Sequence, residues 1–232
     1  MLDPSQIRAI TLDLDDTLWP IWPTIHRAEA ALLLWLKEHA ALTAQMFPAP
    51  EALRSIRQQI ERERPDLRHD LSGLRLASIQ QAMRLAGDDE NLAIPAFDIF
   101  FAERQRVQLY DDALDCLEFL ATRWPLVAVT NGNSDLQKMG LGHFFKDSFN
   151  VQRTGFAKPD VRIFACAAQA LDLPFSAILH VGDDARLDAA AARDVGMQAV
   201  WLNRNGSDWP LTDQHPPTTV ACLHTLCQRL GA

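Results

Sequence analysis

The chain has 232 residues, 48% of them hydrophobic, and a formal net charge of −8. That length and composition suit one large domain or a core with a modest second unit, and the acidic balance argues against nucleic acid as a general partner. No apolar run approaches the length of a membrane span, and Met1-Leu2-Asp3-Pro4-Ser5 lacks a secretory pattern, so no membrane partner is expected.

In chain order, a buried strand over 8–13 runs into Asp13-Leu14-Asp15-Asp16-Thr17, placing two carboxylates two positions apart where the strand stops. Like charges at the open end of a buried strand cost stability, and a bound cation or a reaction that needs them accounts for that cost. Helical periodicity then covers 24–40, 51–63, 71–86 and 95–110, separated by Pro48-Ala49-Pro50, Pro65-Asp66 and Gly87-Asp88-Asp89. These four amphipathic helices read as one inserted unit, in which the phenylalanines of the last helix form a packing stripe. The arginines from Arg54 to Arg84 read as exposed helix faces.

Beyond residue 110, helices are expected near 112–122, 134–140, 160–171, 185–195 and 220–229. Strands are expected near 125–130, 148–151, 177–181 and 198–202. Cys116 and Cys166 fall in helical patterns as small core residues. With Cys222 and Cys227 they show no metal-like spacing, and a reducing cytoplasm is the simplest compartment.

Three further strand ends carry chemistry. Leu126-Val127-Ala128-Val129 ends in Thr130-Asn131-Gly132, a hydroxyl followed by backbone amides that suit an anion. Lys158 precedes Pro159, which fits the first turn of a helix, so its ammonium would stand beside a helix N-terminus and suit a phosphate. Ile178-Leu179-His180-Val181 ends in Gly182-Asp183-Asp184, with Asp188 following. Gly182 permits close approach of a ligand, Asp183 suits a hard cation, and Asp184 and Asp188 either assist it or complement a helix dipole. His180 reads as a satisfied core histidine.

Spacing supplies the architecture. Thr17 and Thr130 lie 113 positions apart, whereas Thr130 to Lys158 is 28 and Lys158 to Asp183 is 25. One crossover between parallel strands needs about 30 residues, so an insertion lies only between the first two motifs. The predicted fold class is α/β, a doubly wound, mostly parallel sheet, with a core of 1–18 and 111–232 and a helical cap at 19–110. Ligands of such sheets gather beyond the carboxyl ends of the strands, where all four clusters lie.

With Asp13-Leu14-Asp15-Asp16-Thr17, Thr130, Lys158 and Gly182-Asp183-Asp184 through Asp188 in this order, the chain resembles the haloacid dehalogenase superfamily over essentially its whole length. More narrowly, His69-Asp70, 78–83, 124–133 and 178–184 resemble bacterial phosphatases that act on FMN and on 5-amino-6-(5-phospho-D-ribitylamino)uracil. Trp19-Pro20-Ile21-Trp22-Pro23 departs from the more polar stretch expected there and leaves the substrate open.

The resemblance implies a Rossmann-like sheet of order 3-2-1-4-5 and a magnesium-dependent phosphomonoesterase acting through an aspartyl-phosphate on a small phosphorylated metabolite. Asp13 is the implied nucleophile and Asp15 the general acid and base; Thr130, the Asn131 amide and Lys158 hold the phosphate. Mg2+ is held by Asp13, the Asp15 carbonyl and Asp183, with Asp184 and Asp188 behind them. Substrate choice is expected on the cap, with Trp19, Trp22, Arg27, His69, Asp70 and Arg75 as candidates. No obligate protein partner is evident. Dehalogenases of the superfamily lack an acid at the position of Asp15, since a halide leaves without a proton, so Asp15 favours a phosphatase. The alternatives are a broad sugar-phosphate phosphatase or a phosphomutase and, more distantly, a haloacid dehalogenase or a phosphorylatable receiver module.

Overall fold

Strands β1 (Ala9–Leu12), β2 (Leu126–Val129) and β4 (Ile178–Gly182) are buried at every position, the pattern of parallel strands covered on both faces. In the computed structural model, which describes residues 2–67 and 69–232, they form the middle of one six-stranded parallel sheet. β3 (Phe145–Phe149), β5 (Gln198–Leu202) and β6 (Thr218–Val220) complete it in the order 3-2-1-4-5-6. The sheet has the expected order, with β6 added at the edge beyond β5.

β1 pairs with β2 through Ile10 opposite Leu126 and with β4 through Ala9 opposite Ile178. The amide of Asp13 donates to the carbonyl of Val181 at 2.9 Å, so the carboxyl ends of β1 and β4 stay together one residue past the strand.

The chain divides into two units, Met1–Pro20 with Gln108–Ala232, and Ile21–Val107. In the first, helices α6 (Ala113–Ala121), α8 (Val161–Leu171) and α10 (Leu223–Arg229) cover the sheet, with short α7 (Val151–Thr154) and α9 (Ala191–Asp194) between strands. Helix α8 buries Ile163, Phe164, Ala167, Ala168 and Leu171, one stripe at helical spacing, against Val127, Val129 and Ile178. It starts two residues past Pro159: Asp160 is its N-cap, so Pro159 stands outside the helix.

The second unit holds α1 (Ile21–His39), α2 (Ala41–Met46), α3 (Pro50–Glu63), α4 (Leu71–Ala86) and α5 (Ala93–Arg104). Its core is its own: Leu32 and Leu36 of α1, Leu53, Ile56 and Ile60 of α3, Ile79 and Met83 of α4, and Phe100 of α5. Four helices were expected, and α2 is the fifth. Asp88 builds its first turn by accepting from the Thr43 amide at 2.6 Å and the Thr43 hydroxyl at 2.7 Å. The last helix ends at Arg104 rather than 110.

Three other expectations are corrected. Residues 134–140 form no helix, only turns over 136–140: the Asp135 carboxylate takes the amides of Gln137 and Lys138, and Gly140 (φ +75°) closes the segment. Cys116 is buried but not alone, since it is joined by a disulfide to Cys227 of α10, with Cα atoms 6.5 Å apart. Arg75 is buried rather than exposed: it pairs with Glu29 at 3.4 Å and lies over the Phe100 ring at 4.2 Å. Burial pushes its guanidinium down to about 10, helped by Arg57 and opposed by Glu29. Arg54 shares the same carboxylate; Arg68 lies outside the described residues. Among the described residues no helix is long and apolar enough to cross a membrane.

Candidate active site

At the carboxyl end of β1 the chain turns at once. Asp16 takes a left-handed conformation (φ +58°), and the Leu18 amide returns to the Leu14 carbonyl at 2.8 Å. The Trp19 indole N–H donates to Asp15 Oδ1 at 2.8 Å. Trp19 is wholly buried, so this candidate for substrate choice instead orients Asp15 and offers no ring face to a ligand.

Asp13, Asp183 and Asp188 each bring a carboxylate oxygen to within 4.8 Å of the others. Lys158, itself buried, places Nζ 2.6 Å from Asp13 and 2.5 Å from Asp188. The Thr17 hydroxyl lies 3.3 Å from both Asp13 Oδ2 and Asp183 Oδ1. Thus residues from the ends of β1 and β4 and from the loop before α8 meet in one cluster.

The charges are unevenly compensated. Burial raises Asp13 to about 7; Lys158 opposes the rise, and Asp188 and Asp15 add to it. Burial likewise raises Asp183 to about 8, reinforced by Asp13 and Asp188. Asp188 goes the other way: burial would raise it, but Lys158 and His180 outweigh burial and hold it low. Burial would lower Lys158, yet Asp13 and Asp188 keep it charged. One ammonium therefore serves three carboxylates. An all-oxygen donor set with surplus negative charge fits a hard divalent cation.

Asp188 is anchored from behind. His180 Nε2 lies 3.1 Å from its Oδ1, and His180 Nδ1 lies 2.8 Å from the Thr11 hydroxyl. Burial lowers the imidazole pKa, so His180 is the satisfied core histidine expected, with a part in holding Asp188. Gly182 has a different reason from ligand approach: a Cβ there would overlap the Asp188 side chain. Asp184 is the N-cap of the π-helical turn Ala185–Ala190, accepting from the amides of Arg186 and Leu187 at 2.8 and 2.7 Å. That places its charge at a helix start, as the dipole alternative expected.

Thr130 is buried after β2, and its Oγ1 accepts from the Gly132 amide at 2.9 Å. The Asn131 side chain clamps the Lys158 backbone, donating to its carbonyl at 3.0 Å and accepting from its amide at 2.7 Å. The sequence reading gave Asn131 only a backbone role, and this side-chain part was missed.

The candidates of the second unit divide. Trp22 is 59% exposed, tilted against His26, with Arg54 at 6.0 Å from its ring. His69 is exposed. Arg27 is paired with Glu103 at 3.4 Å and with the Arg106 carbonyl. Asp70 caps α4 through the Gly73 amide at 3.0 Å. Arg75 belongs to the packing described above.

The haloacid dehalogenase-like hydrolase family model matches residues 7–196. The chain is 37% identical to the 5-amino-6-(5-phospho-D-ribitylamino)uracil phosphatase of Escherichia coli (strain K12), over 88% of this chain and 87% of that protein. It is 34% identical to a phosphoserine phosphatase of Thermus thermophilus over 54% of this chain and 53% of that one. Among solved structures, a 2-haloacid dehalogenase from Pseudomonas syringae pv. Tomato DC3000 superposes with a TM-score of 0.88 at 36% identity, covering 97% of this chain and 98% of that chain.

Proposed function

Because the chain belongs to the haloacid dehalogenase-like hydrolase family and is a phosphatase hydrolase, we propose that it is a magnesium-dependent phosphomonoesterase acting through an aspartyl-phosphate. In this reading an Asp13 oxygen forms a bond to phosphorus while the bond from phosphorus to the leaving oxygen breaks. Asp15 donates its proton to that oxygen. It then takes one from the water that attacks phosphorus, which frees Asp13 and inorganic phosphate. Lys158, the Thr130 hydroxyl and the Asn131 amide hold the phosphoryl oxygens, where charge resides in a loose transition state. Asp13, the Asp15 carbonyl and Asp183 would hold Mg2+, which supplies positive charge between two anionic reactants.

The observation that carries the reading is the pairing of Asp13, beside Lys158 at 2.6 Å, with an acid two residues on whose carboxylate is oriented by Trp19. A leaving alkoxide needs a proton, and Asp15 is there to give it. The solved dehalogenase relative favours a second reading, release of halide from a 2-haloacid. Its chemistry would leave Asp15 without a task.

For substrate we favour FMN or 5-amino-6-(5-phospho-D-ribitylamino)uracil, on the likeness to the Escherichia coli enzyme that carries the second name. Trp22, exposed on α1, is the aromatic face available to a planar ring, and His69 the exposed polar neighbour in the sequence pattern. The compartment we favour is the cytoplasm, where small phosphorylated metabolites are abundant. The Cys116–Cys227 pair runs against that choice, since reducing pools keep such pairs as thiols.

The test compares phosphate release from FMN, the ribitylaminouracil phosphate, a hexose phosphate and a nucleoside monophosphate, with Mg2+ and with EDTA, beside halide release from 2-chloropropionate. The first two substrates should lead, only with Mg2+. Trp22→Ala should lower kcat/KM for FMN more than for the hexose phosphate. Halide release without phosphate release would overturn the reaction, and a leading hexose phosphate would overturn the substrate.

A further inference from the structure

The turn after β1 carries its own strain. Asp16 is a non-glycine residue at φ +58°, a conformation that costs about 1 kcal/mol or more and persists only where its surroundings enforce it. Inside the turn the Trp19 indole holds Asp15, the Asp16 amide donates to the Trp19 carbonyl at 2.8 Å and the Leu18 amide to Leu14. Two further ties come from far along the sequence, and the first is the Tyr110 amide on the Leu18 carbonyl at 2.9 Å. The second is Arg204, two residues past β5, which donates from Nη2 to the Thr17 carbonyl at 3.0 Å.

That guanidinium is itself fixed. Nη1 and Nη2 donate to the two oxygens of Asp112 at 3.1 and 2.9 Å, and the plane lies over the Tyr110 ring at 3.9 Å. Both side chains are largely buried, Arg204 15% and Asp112 8% exposed. Asp112 also accepts from the Leu223 amide at the start of α10 at 2.7 Å. Arg204 Nε has no hydrogen-bond partner among the described residues, so the far end of the fork makes all the polar contacts of this side chain. A planar fork that meets a carboxylate on two nitrogens and a carbonyl on one of them is a geometry lysine does not reproduce.

We propose that Arg204, braced by Asp112, is a positioning residue for the reaction. By holding the Thr17 carbonyl it sets the Thr17 hydroxyl between Asp13 and Asp183 and keeps the nucleophile and its neighbouring acid in register. It touches no substrate. The proposal rests on the reading of Asp13 as nucleophile and of Asp13 with Asp183 as the metal-holding pair, and it adds a residue outside the four strand-end motifs.

The experiment uses full-length Arg204→Lys, Arg204→Ala and Asp112→Asn. Three quantities are read: kcat and KM for p-nitrophenyl phosphate at saturating Mg2+, Tm without metal, and the Mg2+ concentration that half-saturates the rise in Tm without substrate. Arg204→Lys keeps the charge and is the variant expected to stay folded. Its kcat should fall at least about tenfold, because small displacements of reacting groups are costly. KM should stay within about twofold, and the half-saturating Mg2+ concentration should rise severalfold. Asp112→Asn should shift the same quantities in the same direction by less. A purely structural arginine would lower Tm while leaving kcat and Mg2+ affinity of the folded protein unchanged, and that result overturns the proposal. If the wild-type chain releases no phosphate, the reading of the reaction fails instead, and the Mg2+ titration still decides whether Arg204 sets the Asp13–Asp183 pair.

Discussion

Asp13 and Asp183 are the residues with most to gain from a cation, and pH should reveal it. Both are raised from an ordinary value of 3.8, to about 7 and about 8, chiefly by burial. A raised carboxylate contributes stability that is complete below its unfolded value and is lost as pH climbs through its folded one. His180 works in the opposite sense, since burial lowers it and its contribution fades as pH falls below its ordinary 6.5. At pH 6.5 the unfolded imidazole is half neutral and its opposing effect fades within about one unit above, so the two carboxylates control the upper end of the range. The metal-free protein should therefore lose Tm between pH 6.5 and 8, and added Mg2+ should restore most at the upper end. Asp13→Asn removes one of the two titrations. It should abolish phosphatase activity, flatten the loss of Tm and, at pH 8 without metal, melt no lower than the wild type. A steep, unchanged pH profile in that variant would show that Asp13 is not the titrating group.

Among the elements, α4 separates a capping role from a substrate role. Asp70 precedes it and accepts from the Gly73 amide, so asparagine can replace it in the cap whereas alanine cannot. Asp70→Ala should cost about 1 kcal/mol in urea unfolding and Asp70→Asn a few tenths at most. If kcat/KM for the best substrate falls equally in both, the carboxylate has a binding role beyond the cap.

The elements also show why some features were legible in the sequence and others were not. The ends of β1, β2 and β4 announce themselves because each fully buried strand stops at polar residues within a few positions. β3 is half-exposed, and its start at Phe145 rather than near 148 has no apolar run to mark it. Three-residue β6 carries almost no pattern. Residues 134–140 have helical composition, but the Asp135 side chain caps the Gln137 and Lys138 amides and Gly140 already turns left-handed at φ +75°, which leaves room for little more than one turn. The long-range partnerships were beyond reach. Glu29 with Arg75, Arg204 with Asp112 and Cys116 with Cys227 join positions 46, 92 and 111 apart, and no local spacing encodes them.

At the scale of the molecule, each unit has a core of its own. The cluster around Leu32, Ile56, Ile79 and Phe100 draws all its buried residues from 28–100, and that around Val127, Phe164 and Ile178 draws all of its from 9 and 127–199. The residues at the site, Asp13, Thr17, Thr130, Lys158, Asp183 and Asp188, belong wholly to the unit that contains the sheet. The two ends left by excising 21–107 are already tied together, since the Tyr110 amide donates to the Leu18 carbonyl at 2.9 Å. A short glycine-serine linker between Pro20 and Gln108 needs to span little distance and closes a small loop, whose entropy cost is modest. The shortened protein should give the circular dichroism of a folded α/β domain and retain Mg2+-dependent hydrolysis of p-nitrophenyl phosphate. It should lose its ranking among FMN, hexose phosphate and nucleoside monophosphate if the inserted unit sets substrate choice. A folded core that keeps the full-length ranking would move specificity into the sheet unit, and the loop from 203 to 217 beyond β5 would then be the place to seek it.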